Sequence, residues 1–138
     1  MGGRTGASLI KGWASIPYGY VTQVPVLSLD RVLGDAIKGK RALILVDIEG
    51  AELMMLQGAA ETLQNEPRPI WMMEVCTTEH QPVGTSMNPN FKKTFELFFD
   101  CGYRAFTADA VAKEIKKSDV DDVMANRKQL TTQNFLFR

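Results

Sequence analysis

The chain has 138 residues, of which 45% are hydrophobic, and this length and composition fit one globular domain with its own core. Lysine and arginine together number 16, as do aspartate and glutamate, so the formal net charge is zero. This balance argues against nucleic acid or an anionic membrane surface as the main partner. No apolar run reaches the roughly 18 residues of a membrane span.

The first 20 residues are rich in glycine, serine and tyrosine without a periodic pattern, so we predict a loop. Their opening, MGGRTGASLIKGW, lacks the apolar core of a signal peptide, and Cys76 and Cys101 form no close pair. We therefore expect a cytoplasmic protein with two free buried thiols, with one disulfide as the alternative. The next run, VTQVPVLSL (21–29), has strand propensity, but Pro25 limits it to an edge or a strand end.

The centre of the chain alternates between short apolar runs and helical patterns. LDRVLGDAIKG predicts a short helix that stops at Gly39, and ALILV (42–46) is typical of a strand covered on both faces, as in a parallel sheet. PIWMMEVC (69–76) predicts a second strand of the same buried kind. The segment between these strands, AELMMLQGAAETLQN, predicts a helix with four inward residues: Leu53, Leu56, Ala60 and Leu63.

The last third of the chain continues the alternation. NPNFKKTFELFFDCG predicts a helix capped by Asn88, with Pro89 at its first helical position and Gly102 at its end. YRAFTA (103–108) predicts a third strand, the polar stretch DAVAKEIKKSDVDDVMANRKQ short helical turns, and NFLFR a final strand. Strands that alternate with helices predict an α/β domain with a mostly parallel sheet.

Carboxylates follow both central strands. Asp47 comes directly after five apolar residues, Glu49 lies two positions later, and Glu74 stands near the end of the next strand. Because ligands bind outside the carboxyl ends of parallel strands, we predict that these three carboxylates converge on one rim of the sheet. The alternative for Glu49 and Glu52 is an ordinary capping role in the first turn of a helix.

Several motifs in a fixed order carry a resemblance to a known family. Leu29-Asp30 precedes a short helix, DIEGAE begins at Asp47, LQGA begins at Leu56, and RPIWMMEV contains a proline before a strand that ends in Glu74. Together with FFDCGYRAF and NFLFR, they resemble the later half of an FkbM-family methyltransferase. The family usually has lysine where this chain has Leu45.

The resemblance implies a fold and a cofactor. The family uses S-adenosylmethionine on a Rossmann-like sheet of seven strands, and this chain is similar to the fourth to seventh of them. The implied fold is a truncated α/β sheet, mostly parallel with an antiparallel last strand and helices on both faces. We expect a single domain, 1–138, in which 1–20 is a loop segment and 21–138 matches the later half of the family domain.

The resemblance also implies roles for the acidic residues. Asp47, Glu49 and Glu74 would be catalytic, with Asp47 or Glu49 orienting or deprotonating an acceptor hydroxyl and Asp47 also contacting the cofactor. Glu49 and Glu52 would bind the acceptor, a small molecule such as a sugar or secondary metabolite. His80 follows the second main strand in a loop near the expected rim, and we expect it to bind the acceptor or act as a base. For His80, a solvated loop position is the alternative. Three N-terminal aromatic residues either stack on the acceptor or fasten the loop to the body: Trp13, Tyr18 and Tyr20.

Two other functions stay open beside methyl transfer. One is a non-catalytic binding or assembly module, and the other is a small domain in which Asp47, Glu49 and Glu74 hold a divalent cation such as magnesium. The family's glycine-rich cofactor loop has no counterpart in the sequence, so we predict weak or no binding of S-adenosylmethionine by this chain alone.

The resemblance to only the later half of the family domain also predicts an unpaired strand edge. Without the family's first three strands, one side of the ALILV strand has no neighbour, and bare edges invite association. We therefore predict a homo-oligomer through this open edge. The alternatives are that VTQVPVL folds back onto the edge or that the N-terminal loop covers it.

Overall fold

A computed structural model of the chain describes residues 7–15 and 22–138. Its strands are β1 (Leu43–Val46), β2 (Ile70–Glu74), β3 (Ala105–Thr107), β4 (Glu114–Ile115) and β5 (Asn134–Phe137). Its α-helices are α1 (Leu29–Leu33), α2 (Glu52–Gln57), α3 (Ala60–Leu63), α4 (Phe91–Asp100) and α5 (Lys117–Met124). Short 3-10 helices occupy Trp13–Ser15 and Gly34–Ile37. Within these ranges, no helix has the length and apolar character needed to cross a membrane.

The five strands form one sheet in the order β1-β2-β5-β3-β4. Strands β1 and β2 are parallel, whereas β5 lies between β2 and β3 and is antiparallel to both. The two-residue strand β4 adds a further antiparallel pairing to β3. The antiparallel last strand is confirmed, but the prediction of a mostly parallel sheet is wrong. The sheet is mixed because β5 separates β2 from β3, which run in the same direction.

The sheet has one closely packed face. Trp71 and Met73 of β2 are fully buried in the core, together with Phe135 and Phe137 of β5. Helix α4 covers this face with aromatic residues spaced at four and three positions, the spacing of one helix face: Phe91, Phe95 and Phe98. Burial of each such ring contributes about 1.5–3 kcal/mol, and this aromatic cluster is the centre of the fold.

The opposite face of β1 and β2 carries exposed apolar side chains in the described part of the chain. Leu43 and Leu45 are 63% and 68% exposed, and Ile70 and Met72 are 41% and 37% exposed. We call these four residues the open face. The predictions that both strands are covered on two faces, and that helices lie on both sides, therefore fail at these positions. A short apolar run does not by itself distinguish one-sided from two-sided burial.

The helix predicted between β1 and β2 is broken into α2 and α3 at Gly58. The backbone N–H of Asp30 donates to the Gly58 carbonyl, at 3.0 Å, and Ser28 packs so closely that a Cβ at position 58 would lie 3.0 Å from its Cβ. The break changes the phase of the helix, so that Ala59 is buried and Ala60 is exposed. The prediction that Ala60 faces inward is wrong for this reason.

The carboxylate of Asp30 caps α3. It accepts hydrogen bonds from the backbone N–H of Glu61 at 3.0 Å and from the backbone N–H and hydroxyl of Thr62 at 2.8 and 2.7 Å. Burial opposes ionisation here, but these hydrogen bonds outweigh it and lower the pKa of Asp30. The Leu29-Asp30 motif therefore fastens α1 to α3.

Other predicted elements are shifted or missing. Residues 22–28 are exposed and form no strand, so the prediction of a strand over VTQVPVLSL is wrong. Strand β4 was not predicted, because its two residues lie in a polar stretch. Helix α4 begins at Phe91, and Asn88 is buried before it, donating to the Cys76 carbonyl and accepting from the Asn90 N–H, both at 2.9 Å.

Both cysteines are free, as predicted, although only Cys76 is fully buried and Cys101 is half-buried.

Candidate functional site

Four acidic residues, Asp47, Glu49, Glu52 and Glu74, lie at or shortly after the ends of β1 and β2, and we call them the acidic rim. The two strands end side by side. The register pairs Val46 with Met73, so Asp47 and Glu74 follow as the next pair at the carboxyl ends of two adjacent parallel strands. The convergence of these two positions on one edge of the sheet is confirmed. Asp47 is exposed and Glu74 is half-buried. Strand alternation places both on the side of the open face.

A tight turn carries Glu49 and Gly50 from β1 to α2. Both residues have left-handed backbone conformations, with φ of 53° and 96°. Glutamate adopts this region at a cost, whereas glycine does so readily. Glu52, the first residue of α2, accepts a hydrogen bond from the Gly50 N–H at 2.9 Å. Glu49 therefore lies in the turn and not in the first turn of the helix.

Glu52 is the buried acid of the site, with 5% of its surface exposed. Burial raises the pKa of Glu52, and the negative charges of Glu74 and Asp47 raise it further. The hydrogen bond from the Gly50 N–H works in the opposite direction. Burial and the neighbouring negative charges therefore both favour the neutral form of the Glu52 carboxyl.

Trp13 closes over the turn from the N-terminal segment. Its indole N–H donates to a carboxylate oxygen of Glu49 at 2.6 Å, and the Ser8 hydroxyl donates to the Glu49 carbonyl at 2.5 Å. Only 3% of Trp13 is exposed. A Cβ at Gly50 would lie 2.6 Å from the Trp13 ring, so the close approach of the ring requires glycine there. Trp13 thus fastens the N-terminal segment to the body, one of its two predicted roles.

His80 reaches the same region from the loop after β2. Its ring lies 6.0 Å from the Trp13 ring, centroid to centroid, and its carbonyl accepts from the Ala14 N–H at 2.8 Å. The His80 side chain remains exposed. The structure therefore brings His80 to the edge of the site through Trp13. Tyr18 and Tyr20 lie outside the described residues.

Cys76 lies next to the rim and was not among the site residues predicted from the sequence. Its thiol lies 3.7 Å from a Glu74 carboxylate oxygen and 3.4 Å from the Gln133 side-chain oxygen, and it can donate to either. Burial, with the charges of Glu74 and Glu79, raises the pKa of Cys76 to about 12. The thiol is therefore a protonated hydrogen-bond donor. The i, i+2 spacing from Glu74, which places both side chains on one face of an extended chain, was the available signal.

The described residues could form one wall of a site for S-adenosylmethionine, but not the opposite wall. Acidic groups line the rim, but nothing in residues 7–15 and 22–138 forms the glycine-rich loop that would approach S-adenosylmethionine closely. Over the same ranges, no group of three histidine, cysteine, aspartate or glutamate side chains is arranged to hold a metal ion. The geometry therefore gives no support to the metal-binding alternative.

The sheet topology and the acidic rim define an α/β domain consistent with a Rossmann-like fold, with its candidate site at the carboxyl ends of parallel strands. A family model for the methyltransferase FkbM domain matches residues 3–105, and the chain belongs to this methyltransferase family. No curated protein and no solved structure gives a significant match.

Proposed function

We propose that this chain forms the acceptor side of an S-adenosylmethionine-dependent methyltransferase site that methylates a hydroxyl of a sugar or secondary metabolite. The family match supports methyl transfer. The observation that carries the assignment of the site is the position of Asp47 and Glu74 directly after the paired residues Val46 and Met73, at the ends of adjacent parallel strands. Two carboxylates side by side can orient a hydroxyl and accept its proton. The two free cysteines support a cytoplasmic location.

Each acidic residue of the rim would have a different role, set by its surroundings. Asp47 is exposed and would contact the acceptor and the cofactor, whereas Glu74, beside the Cys76 thiol, would accept the acceptor proton. Glu49 is held by Trp13 and would orient the acceptor through its second carboxylate oxygen. Glu52 would contact the acceptor from the buried side of the rim, and His80 would bound the acceptor pocket on its exposed side.

Isothermal titration calorimetry tests the cofactor part of the proposal. We expect S-adenosylmethionine to bind weakly or not at all, because roughly half of a cofactor pocket is unbuilt without the glycine-rich loop. A low micromolar dissociation constant would contradict this expectation. It would mean that residues outside the described ranges, or a second chain, complete the pocket.

Radiolabelled methyl transfer at millimolar S-adenosylmethionine tests the chemistry. We expect slow methylation of a hydroxyl acceptor that falls about 100-fold in Glu74→Gln, the loss typical of a missing general base. Glu66→Gln is the matched control, because Glu66 is exposed and pairs only with Arg68 among the described ion pairs. Activity that survives Glu74→Gln would refute the role of Glu74. No transfer to any of a panel of hydroxyl acceptors would favour the non-catalytic module.

A further inference from the structure

Strand β1 is the edge of the sheet, and its outer side has no partner strand in the described ranges. The Ala42 carbonyl accepts from the Ile70 N–H at 2.9 Å, so the backbone groups of Ala42, Ile44 and Val46 point toward β2. Backbone groups alternate in direction along a strand. Those of Leu43 and Leu45 therefore point to the free edge.

The side chains along this edge form a self-complementary row. Strand alternation places Arg41, Leu43, Leu45 and Asp47 on the same face, and all four are exposed. A cation stands at one end of the row, an anion at the other, and two leucines lie between them. Reversing the row and laying it beside itself brings unlike charges together at both ends.

We propose that two copies of this chain pair through β1, antiparallel about a two-fold axis at Ile44, so that their sheets join into one. In this register Leu43 faces the partner's Leu45, and Arg41 faces the partner's Asp47. The outward backbone groups of Leu43 and Leu45 then bond to those of the partner. Two-fold symmetry closes the assembly at a dimer, because each edge is used once.

Neighbouring registers fit less well. An axis between Ile44 and Leu45 would set inward backbone groups of one copy against outward groups of the other, so the ladder could not form. An axis at Leu45 keeps the ladder but places Leu43 opposite the partner's Asp47. Only the Ile44 axis satisfies the backbone, the leucines and the charges together. The carboxylate of Asp47 would then be shared between the interface and the rim.

Size-exclusion chromatography with light scattering measures the association directly. We expect a particle of twice 15.4 kDa at tens of micromolar protein. We expect Arg41→Asp to raise the dimer dissociation constant about tenfold, because two attractive pairs become repulsive. The double variant Arg41→Asp/Asp47→Arg should restore dimers, since it exchanges the charges but keeps the pairing. A monomer for the unmodified chain would overturn the proposal.

Lys40→Asp is the matched control, because Lys40 carries the same charge one position away but lies in the turn before β1, where its N–H donates to the Ile37 carbonyl at 3.0 Å. We expect its dissociation constant to stay near that of the unmodified chain. An equal loss in Lys40→Asp, or failure of the double variant to recover while its circular dichroism is unchanged, would overturn the register. The test needs no methyltransferase activity and is independent of the proposed function.

Discussion

Glu49 occupies a left-handed conformation that costs an ordinary residue about 1–2 kcal/mol. Three contacts hold the turn in this state: the Trp13 indole on the carboxylate, the Ser8 hydroxyl on the carbonyl, and Glu52 on the Gly50 N–H. Backbone strain of this kind is often retained at functional sites. The side chain that would meet an acceptor is therefore fixed by contacts from distant parts of the chain.

Gly50→Ala tests the close approach of Trp13. We expect a loss in the free energy of unfolding of about 1 kcal/mol from the positive φ and a further 1–3 kcal/mol from contact with the ring. Gly84→Ala is the matched control, because its φ is +89° and nothing lies within 4 Å of the added Cβ. Urea denaturation compares the two, and equal losses would show that the ring contact contributes nothing.

The hydrogen bond between Trp13 and Glu49 can be isolated by a double-mutant cycle. Trp13→Phe keeps an aromatic ring on Gly50 but removes the indole donor. We expect a coupling of about 1 kcal/mol with Glu49→Gln, because the pair is only partly buried. The measurement is the unfolding free energy of the two single variants and the double variant. Additive losses would show that the hydrogen bond adds no stability of its own.

Asp30 acts at the scale of elements, because it joins α1 to α3 across 32 residues of chain. Its folded pKa is lowered, so the stability it contributes is present above the ordinary aspartate pKa, about 3.9, and is lost as pH falls through the folded value. We expect Asp30→Asn to lower the unfolding free energy by about 1 kcal/mol at neutral pH, because both carboxylate oxygens accept from backbone N–H groups and an amide nitrogen cannot. In acid we expect the variant to match the unmodified chain.

Urea denaturation across a pH series checks this prediction. Asp35→Asn is the control, since Asp35 is exposed and pairs with the exposed Lys38, and surface pairs contribute little. A difference between Asp30→Asn and the unmodified chain that does not shrink in acid would mean that the charge of Asp30 is not the cause.

The elements that the sequence predicts well are those with a strong local signal. Strands β1, β2, β3 and β5 are apolar runs bounded by polar residues, and their order predicts the convergence of Asp47 and Glu74. Strand β4 has only two residues and is fixed by its pairing with β3, so no local pattern marks it. The contact of Trp13 with Glu49 spans 36 residues and carries no periodic signal.

At the scale of the molecule, the core formed by the described residues lies on one face of the sheet. Stacked rings of Phe98 and Phe137, 3.9 Å apart, and the edge-on pair Phe95 and Phe135 lie on the packed face. The open face instead shows four apolar side chains on the edge strand β1 and its neighbour β2, an arrangement that favours association. The open face and the free edge of β1 therefore adjoin each other, in the part of the sheet that carries the acidic rim.

Amide hydrogen exchange at several protein concentrations measures the protection of each backbone N–H group along β1. The N–H groups of Ile44 and Val46 bond to β2 within one chain, so their exchange should not depend on concentration. The N–H groups of Leu43 and Leu45 point outward, and in the proposed dimer they would bond to the second copy. We expect their exchange to slow as concentration rises, and Arg41→Asp to need about tenfold more protein for the same slowing. Protection of Leu43 and Leu45 that is already complete in dilute monomer would show that the chain covers its own edge.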